Sequence, residues 1–227
     1  NRLQQSLLAE QRFTADASHE LRSPLSAIQL RLQVLQRKYQ DQPQFTQELQ
    51  LIQQDVSRGT QVLENLLLLA RLDPTETAEL PKSRLDLSEL VMQVWQSLEI
   101  FRQQKQVMLQ TQLESAQIEV NPELMATCLR NLLDNAIRYS PSHGTVYLTV
   151  GIRQQQIYLC IENEGQGLDQ ALISRLGERF YRALGSQTTG SGLGLSICKK
   201  IMQLHQADMQ FSASGYGGLK VELYFRK

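Results

Sequence analysis

The sequence predicts an α+β protein, in which an antiparallel helical hairpin forms a dimeric four-helix bundle and an α/β sandwich follows. Three observations lead to this fold class. Residues 1–72 are dominated by helix formers and contain one glycine and two prolines. Residues 73–83 are polar and contain two prolines, as expected of a linker. Residues 84–227 alternate strand-like and helix-like segments, which is typical of a sheet covered on one face by helices.

The predicted hairpin rests on two apolar stripes with helical spacing, separated by a polar break at residues 38–44. The first stripe comprises Phe13, Ala17, Leu21, Leu25, Ile28, Leu32 and Leu35, and the second comprises Phe45, Leu49, Ile52, Val56, Leu63, Leu66 and Ala70. A lone hairpin buries a stripe on each arm poorly. We therefore expect a homodimer through residues 1–72, in which two hairpins form a four-helix bundle.

The elements of the sandwich follow from local patterns. Either Asp86 or Ser88 is expected to cap a helix that runs through Leu98. Asn121 and Pro122 are expected to begin a second helix, which ends before Pro141. Strands are expected at residues 84–87, 107–113, 117–120, 145–152, 156–161, 209–214 and 219–225, and a third helix at 193–205. The glycine-rich stretch 165–192 gives no signal of a regular element.

Bulk composition limits the function classes. The chain carries 23 Lys and Arg against 23 Asp and Glu, so its net charge is zero and no nucleic-acid partner is expected. The three cysteines lie far apart in apolar runs and are expected to be buried, reduced thiols. No apolar stretch reaches membrane-spanning length, and the chain begins at Asn1, so it is expected to be part of a longer protein.

Residues 13–28, FTADASHELRSPLSAI, resemble the H box of the HisKA-type dimerisation and phosphotransfer domain of sensor histidine kinases. His19 lies off the apolar stripe, and a neutral imidazole is a competent nucleophile near pH 7. Glu20 is placed to accept the other ring proton as a general base. The resemblance implies that His19 accepts a phosphoryl group. It also implies that Ser23, where the family usually has Thr or Asn, orients water for dephosphorylation of the partner.

Residues 131–139, NLLDNAIRY, resemble the N box of the Bergerat-type ATP-binding fold. Asn131 and Asn135 are four residues apart and share one helix face. The resemblance implies that Asn135 ligates Mg²⁺ and that Asn131 lies near the phosphates and the metal, and an amide oxygen suits such a hard cation. It also implies that Arg138, where the family usually has Lys, contacts phosphate, and that Tyr139 lies beside the base.

Residues 162–168, ENEGQGL, resemble the first glycine box of the same fold. Gly165 and Gly167 permit a tight turn and close approach of the backbone to a ligand. Asn163 stands where the family has the Asp that accepts a hydrogen bond from the adenine amino group, and its carbonyl oxygen can still accept. Gln166 stands where the family usually has Pro.

Two further motifs complete the family pattern. Residues 178–182, ERFYR, match the F box, in which Phe180 is expected to anchor a lid. Arg182 is expected to approach the γ-phosphate or the phosphotransfer domain. Residues 190–195, GSGLGL, match the second glycine box, where backbone amides at a helix start make an anion site. Its expected nucleotide-binding residues are Gly190, Gly192, Leu193 and Gly194.

The motifs occur in family order along nearly the whole chain. The resemblance implies a phosphotransfer domain at 1–72, a linker at 73–83 and an ATP-binding domain at 84–227. It further implies that Mg²⁺–ATP phosphorylates His19, that a response-regulator aspartate receives the phosphoryl group, and that this is the cytoplasmic portion of a protein anchored in the bacterial inner membrane. Three alternatives stay open: a simple ATPase of the wider superfamily, a dimerising module with little ATP binding, and a kinase whose phosphatase activity through Ser23 dominates.

Overall fold

The computed structural model describes residues 24–39, 41–71, 81–178, 181 and 192–226. The chain divides into two compact units, Asn1–Asp73 and Pro74–Lys227, and each is described by itself. In the described parts of both units, every helix is too short or too polar to cross a bilayer.

The described part of the first unit is a hairpin of two helices, α1 over residues 24–38 and α2 over Pro43–Arg71. The Gln36 side chain donates to that of Gln53 over 2.7 Å, so the two arms lie side by side. At the turn, the Tyr39 ring meets the Phe45 ring edge to face at 4.8 Å. The predicted hairpin and its polar break are confirmed.

The apolar stripes of this hairpin are only partly buried. Leu32 and Leu49 are buried between the arms, whereas Leu30 is 63% exposed and Val34 and Leu51 are each 57% exposed. Several members of the predicted stripes are exposed as well: Ile28, Leu35, Phe45, Ile52 and Leu66. A single hairpin therefore leaves a substantial apolar surface uncovered.

The second unit is built on a five-stranded sheet with strand order β2-β4-β5-β7-β6. Its strands are β2 (Met108–Leu113), β4 (Thr145–Arg153), β5 (Gln156–Glu164), β6 (Asp208–Ala213) and β7 (Gly217–Phe225). Strand β2 runs parallel to β4, and the other neighbouring pairs are antiparallel. A separate antiparallel pair joins β1 (Ser83–Asp86) to β3 (Gln117–Val120).

Among the described residues of this unit, five helices accompany these strands: α3 (Leu87–Ser97), α4 (Glu99–Lys105), α5 (Pro122–Tyr139), α6 (Gln170–Arg175) and α7 (Gly194–Leu204). Helix α5 is central, because it packs against α3, α4, α7 and the strands β5 and β7. Alternate residues of the strands, such as Leu148, Leu159 and Leu223, are buried. The predicted sandwich is confirmed.

The helix starts show why these segments are helical. Asp86, rather than Ser88, caps α3, because its carboxylate accepts from the backbone N–H groups of Ser88 at 2.8 Å and Glu89 at 3.3 Å. Asn121 caps α5 through a 3.0 Å bond from the Leu124 N–H, and Pro122 occupies the first turn as predicted.

Two short helices were not predicted. Helix α4 is separated from α3 only by Leu98, and α6 falls inside the glycine-rich stretch. They have seven and six residues, which is too short for a clear apolar period.

All three cysteines are buried and unpaired, as predicted, and burial raises the pKa of the Cys160 thiol to about 12.

His205 ties the end of α7 to the start of α5. Its Nε2 accepts from the Asn121 N–H at 2.9 Å, and its Nδ1 donates to the Ile201 carbonyl at 2.8 Å, which is the pattern of a neutral ring. Burial lowers the pKa of His205 and the Lys82 charge lowers it further, against the opposing effect of the Ile201 carbonyl. Protonation would remove the acceptor that the Asn121 N–H uses.

The His205 pKa gives a pH-dependent stability. Because the pKa of His205 in the folded chain lies below its ordinary value, the unfolded chain binds the proton more readily. The contribution of neutral His205 to the free energy of unfolding is therefore complete above about pH 6.5 and is lost as the pH falls below that value. We expect the unfolding temperature of the second unit to fall more between pH 7.5 and pH 5.5 in the unsubstituted chain than in His205→Gln. Equal falls in differential scanning calorimetry would contradict this.

Candidate nucleotide-binding site

The predicted site residues divide into those the structure describes and those it does not. His19, Glu20, Ser23, Phe180, Arg182 and Gly190 lie outside the described residues. The others are in the second unit, on helix α5, at the start of helix α7 and at the end of strand β5: Asn131, Asn135, Arg138, Tyr139, Asn163, Gly165, Gly167, Gly192, Leu193 and Gly194.

The structure brings the N box and the second glycine box into contact. The Asn131 side chain is half-buried on α5, and its Nδ2 donates to the Thr127 carbonyl at 3.1 Å, which fixes the amide. A Cβ added at Gly194 would lie 3.3 Å from Asn131 Oδ1, closer than most real contacts. Glycine at this position therefore lets the first turn of α7 approach the Asn131 amide.

The start of α7 presents backbone N–H groups without a side-chain cap. Leu193 is the fully buried N-cap residue and has a helical backbone conformation. Gly192 precedes it with φ of 70°, a left-handed conformation that favours glycine. The first N–H groups of a helix have no partner within the helix and carry the positive end of its dipole. An anionic group such as phosphate is a suitable partner for them.

The remaining N-box residues line the last turns of α5. Asn135 is half-buried, one turn beyond Asn131. Arg138 pairs with Asp134 over 2.8 Å, so its guanidinium is held beside its own helix. Tyr139 is the last residue of α5 and is 39% exposed. Asn131, Asn135 and Arg138 are half-buried, whereas Tyr139 is exposed.

The first glycine box forms a turn whose backbone bonds to the β6–β7 turn. The Gly165 N–H donates to the Tyr216 carbonyl at 3.2 Å, and the Gly167 N–H donates to the Gly217 carbonyl at 2.6 Å. A Cβ added at Gly165 would lie 2.7 Å from the Gly218 Cα. Gly165 is therefore required by a close approach within the protein, in addition to any approach to a ligand.

Asn163 is 3% exposed and both halves of its amide are hydrogen-bonded. Its Oδ1 accepts from the Leu219 N–H at 3.2 Å, and its Nδ2 donates to the Glu164 carbonyl at 2.7 Å. An ionised aspartate has no proton to donate to that carbonyl. Asparagine therefore satisfies a local need that the Asp usual in the family does not meet in this geometry.

Asn163 lies at an irregularity in the pairing of β5 with β7. The register of β5 against β7 shifts between Glu162, opposite Lys220, and Glu164, opposite Gly217, so β7 has one extra residue there. Such a bulge leaves a backbone group without its ladder partner. The Asn163 side chain supplies an acceptor for the Leu219 N–H at this place.

Lys105 stabilises the carboxyl end of α5, a role that the sequence patterns did not reveal. Its Nζ donates to the carbonyl oxygens of Arg138 at 2.5 Å and Ser140 at 2.8 Å, and lies 3.5 Å from that of Ile137. It thus caps the carboxyl end of α5, where a cation complements the helix dipole. Burial lowers the pKa of Lys105, and the nearby Arg138 charge adds to that effect. The only sequence signal was a lysine before a strand.

Each of the two parts of the chain matches the model of a known protein family. Residues 120–227 match the family model of the histidine kinase-, DNA gyrase B- and HSP90-like ATPases. Residues 9–75 match the model of the His Kinase A phospho-acceptor domain.

The similar proteins are sensor kinases. Sensor protein QseC of Salmonella typhi is 34% identical over 222 residues, which are 97% of this chain and 48% of that protein. Sensor protein kinase PmrB of Pseudomonas aeruginosa is 32% identical over 232 residues, covering 100% of this chain and 47% of that protein. The solved structure of full-length ShkA with AMPPNP has a TM-score of 0.75 at 20% identity, covering 94% of this chain and 45% of that one.

The helical hairpin and the ATPase-type sandwich, found together in one chain, define a histidine kinase. The chain belongs to the sensor histidine kinases, which are protein-histidine kinases of two-component systems. It spans about half the length of the curated relatives that it matches. The predicted family is therefore confirmed.

Removal of the Lys105 charge tests the cap on α5. We expect Lys105→Met to lower the free energy of unfolding of the second unit by about 1–3 kcal/mol, because buried carbonyls lose a charged donor. Lys105→Arg should retain most of the stability. Gln103→Met is the control, since the Gln103 side chain donates to Glu99 on its own helix. Urea unfolding that shows equal effects at 103 and 105 would count against the cap.

Proposed function

We propose that the chain binds Mg²⁺–ATP in its second unit and transfers the γ-phosphoryl group to His19, from which an aspartate of a response regulator takes it. The observation that carries this proposal is the contact between Gly194 and the Asn131 amide. It puts the start of α7, where Leu193 provides no side-chain cap, beside polar groups of the N box, an arrangement suited to a triphosphate. The family supports the reaction class.

The phosphates would lie against the N–H groups at the start of α7, with Asn131 beside them. The half-buried Asn135 amide oxygen fits a hard cation, which takes oxygen ligands from one or two side chains and from phosphates. When bound, Mg²⁺ neutralises charge on the β- and γ-phosphates. Arg138 and Tyr139 keep the nucleotide-contact roles that the resemblance implies, Phe180 keeps its role as the anchor of a lid, and Arg182 that of approaching the γ-phosphate or the phosphotransfer domain.

The transfer step needs only a nucleophile, a base and correct placement. A ring nitrogen of neutral His19 attacks the γ-phosphorus, the bond from that phosphorus to the bridging oxygen breaks, and ADP leaves with the electron pair. Glu20 accepts the proton from the other ring nitrogen. Catalysis of this kind is mainly positioning and charge stabilisation. Water oriented by Ser23 would hydrolyse the aspartyl phosphate of the regulator in the opposing phosphatase reaction.

We propose that residues 1–72 also form the homodimer. The support is the apolar surface that a single hairpin leaves exposed, which includes Leu30, Val34 and Leu51. Residues 73–83 would serve as the linker and 84–227 as the ATP-binding domain. For the whole protein, we propose an anchor in the bacterial inner membrane with this chain on the cytoplasmic side, as the resemblance to sensor histidine kinases implies.

The phosphoacceptor is tested by His19→Ala. We expect incorporation of label from γ-labelled ATP to fall to background, because the nucleophile is gone, while nucleotide affinity stays unchanged. His143→Asn is the matched control, because His143 is exposed and its φ of 63° suits asparagine. The label should be acid-labile and base-stable. Hydrolysis of ATP without such a label would instead favour a simple ATPase.

The metal ligand is tested by Asn135→Ala. We expect the Mg²⁺ concentration for half-maximal autophosphorylation to rise about tenfold or more, which corresponds to ~1.4 kcal/mol. Arg130→Gln is the control, because Arg130 is exposed on the same helix. A Mg²⁺ dependence that is the same in all three proteins would rule out Asn135 as the ligand.

A further inference from the structure

Two tyrosines, one on a strand and one in a turn, stack on each other near the end of β5. Tyr147 is on β4, and Tyr216 is in the turn between β6 and β7; their ring centroids are 3.8 Å apart and the rings are within 8° of parallel. Strand β5 lies between β4 and β7 in the sheet. The stack therefore fastens the β6–β7 turn to β4 across the intervening strand. Tyr216 is 48% exposed, so the stack is not part of the buried core.

Hydrogen bonds to the glutamates of β5 fix both Tyr147 and the β6–β7 turn. The Tyr147 hydroxyl donates to Glu164 at 3.2 Å. The Ser214 hydroxyl donates to Glu162 at 3.0 Å and accepts from the Tyr216 N–H at 3.1 Å. The turn is thus held by an aromatic contact on one side and by side-chain hydrogen bonds on the other.

The β6–β7 turn also holds the backbone of the first glycine box. The carbonyl of Tyr216 accepts from Gly165, and that of the next residue, Gly217, accepts from Gly167. A displacement of the Tyr216 ring would move the acceptors that these two N–H groups use. Glycine has the largest conformational freedom to lose, so a glycine turn without such partners is poorly defined.

We propose that Tyr147 and Tyr216 are positioning residues for nucleotide binding: their stack fixes the β6–β7 turn, whose carbonyl groups hold the Gly165–Gly167 turn in its binding shape. The inference rests on the proposed function, in which this glycine turn takes part in binding ATP. A turn already held in shape loses less entropy when the nucleotide binds, so affinity is higher.

A second tyrosine pair supplies a matched control. Tyr158 and Tyr224 are directly opposite each other on β5 and β7, with ring centroids 6.4 Å apart. Tyr158 is on the same face of the sheet as Tyr147, because the residue opposite Tyr147 is Glu162, which has the same parity along β5. Glu164 is six positions after Tyr158, or roughly 20 Å along the strand. Loss of the Tyr158 ring therefore removes a looser ring contact between tyrosines, far from the glycine turn.

The experiment compares Tyr216→Ala, Tyr216→Phe and Tyr158→Ala in the full chain. Amide hydrogen exchange is measured without nucleotide, and the dissociation constant of a non-hydrolysable ATP analogue is measured by calorimetry. In Tyr216→Ala we expect exchange at Gly165 and Gly167 to accelerate about tenfold or more, because the local opening free energy falls. We expect nucleotide affinity to fall about fivefold or more, as a penalty for ordering the turn on binding.

The other variants separate positioning from general damage. Tyr216→Phe keeps the ring and should restore both values to those of the unsubstituted chain, whereas Tyr158→Ala should leave both unchanged. The Leu159 amide in the centre of β5 should exchange as slowly in Tyr216→Ala as in the unsubstituted chain, which shows that the sheet is intact.

Two results would overturn the proposal in different ways. Unchanged exchange at Gly165 and Gly167 in Tyr216→Ala, or equal acceleration in Tyr158→Ala, would remove the positioning role and leave the proposed function standing. Failure of the unsubstituted chain to bind the nucleotide analogue would overturn the proposed function and, with it, the role of the stack in binding.

Discussion

The backbone at Gly165 comes so close to the backbone at Gly218 that the second unit has no space for a side chain at Gly165, and the backbone oxygen of Asn163 excludes a side chain at Gly218. This approach lets the end of β5 and the start of β7 exchange hydrogen bonds through a turn and a bulge instead of a regular ladder. The shape of the glycine turn, the burial of Asn163 and the place of the tyrosine stack all depend on it. Bulges beside functional sites commonly redirect a strand in this way.

Helix α5 gives the site its second fixed element. Asn121 caps its first turn, His205 holds the N–H of that cap, and Lys105 binds the carbonyls at the other end. A helix held at both ends cannot shift along its axis without breaking these bonds. The asparagines of the N box are thereby kept at a fixed position relative to the start of α7, which Gly194 allows to lie against Asn131.

Much of this architecture could be predicted from the sequence, because it depends on local signals. The apolar period of the hairpin, the Asn121–Pro122 helix start and the alternating strands are properties of short segments. The motifs located the glycine turn and the N box, although the roles of individual residues stay predictions. The Lys105 cap, the His205 bond and the Tyr147–Tyr216 stack were not predicted, because each joins residues from separate elements. Helices α4 and α6 were missed since they are too short to show a period.

Asn163 and the three glycines around it also constrain how this sequence can diverge. A Cβ at Gly218 would meet the Asn163 backbone oxygen, and one at Gly217 would meet the Gly165 oxygen. At each of positions 163, 165, 217 and 218, the space for a side chain is therefore limited by another residue of this group. An accepted change at one of them needs a compensating change at its neighbour, so related sequences should vary here as linked pairs and seldom as independent sites.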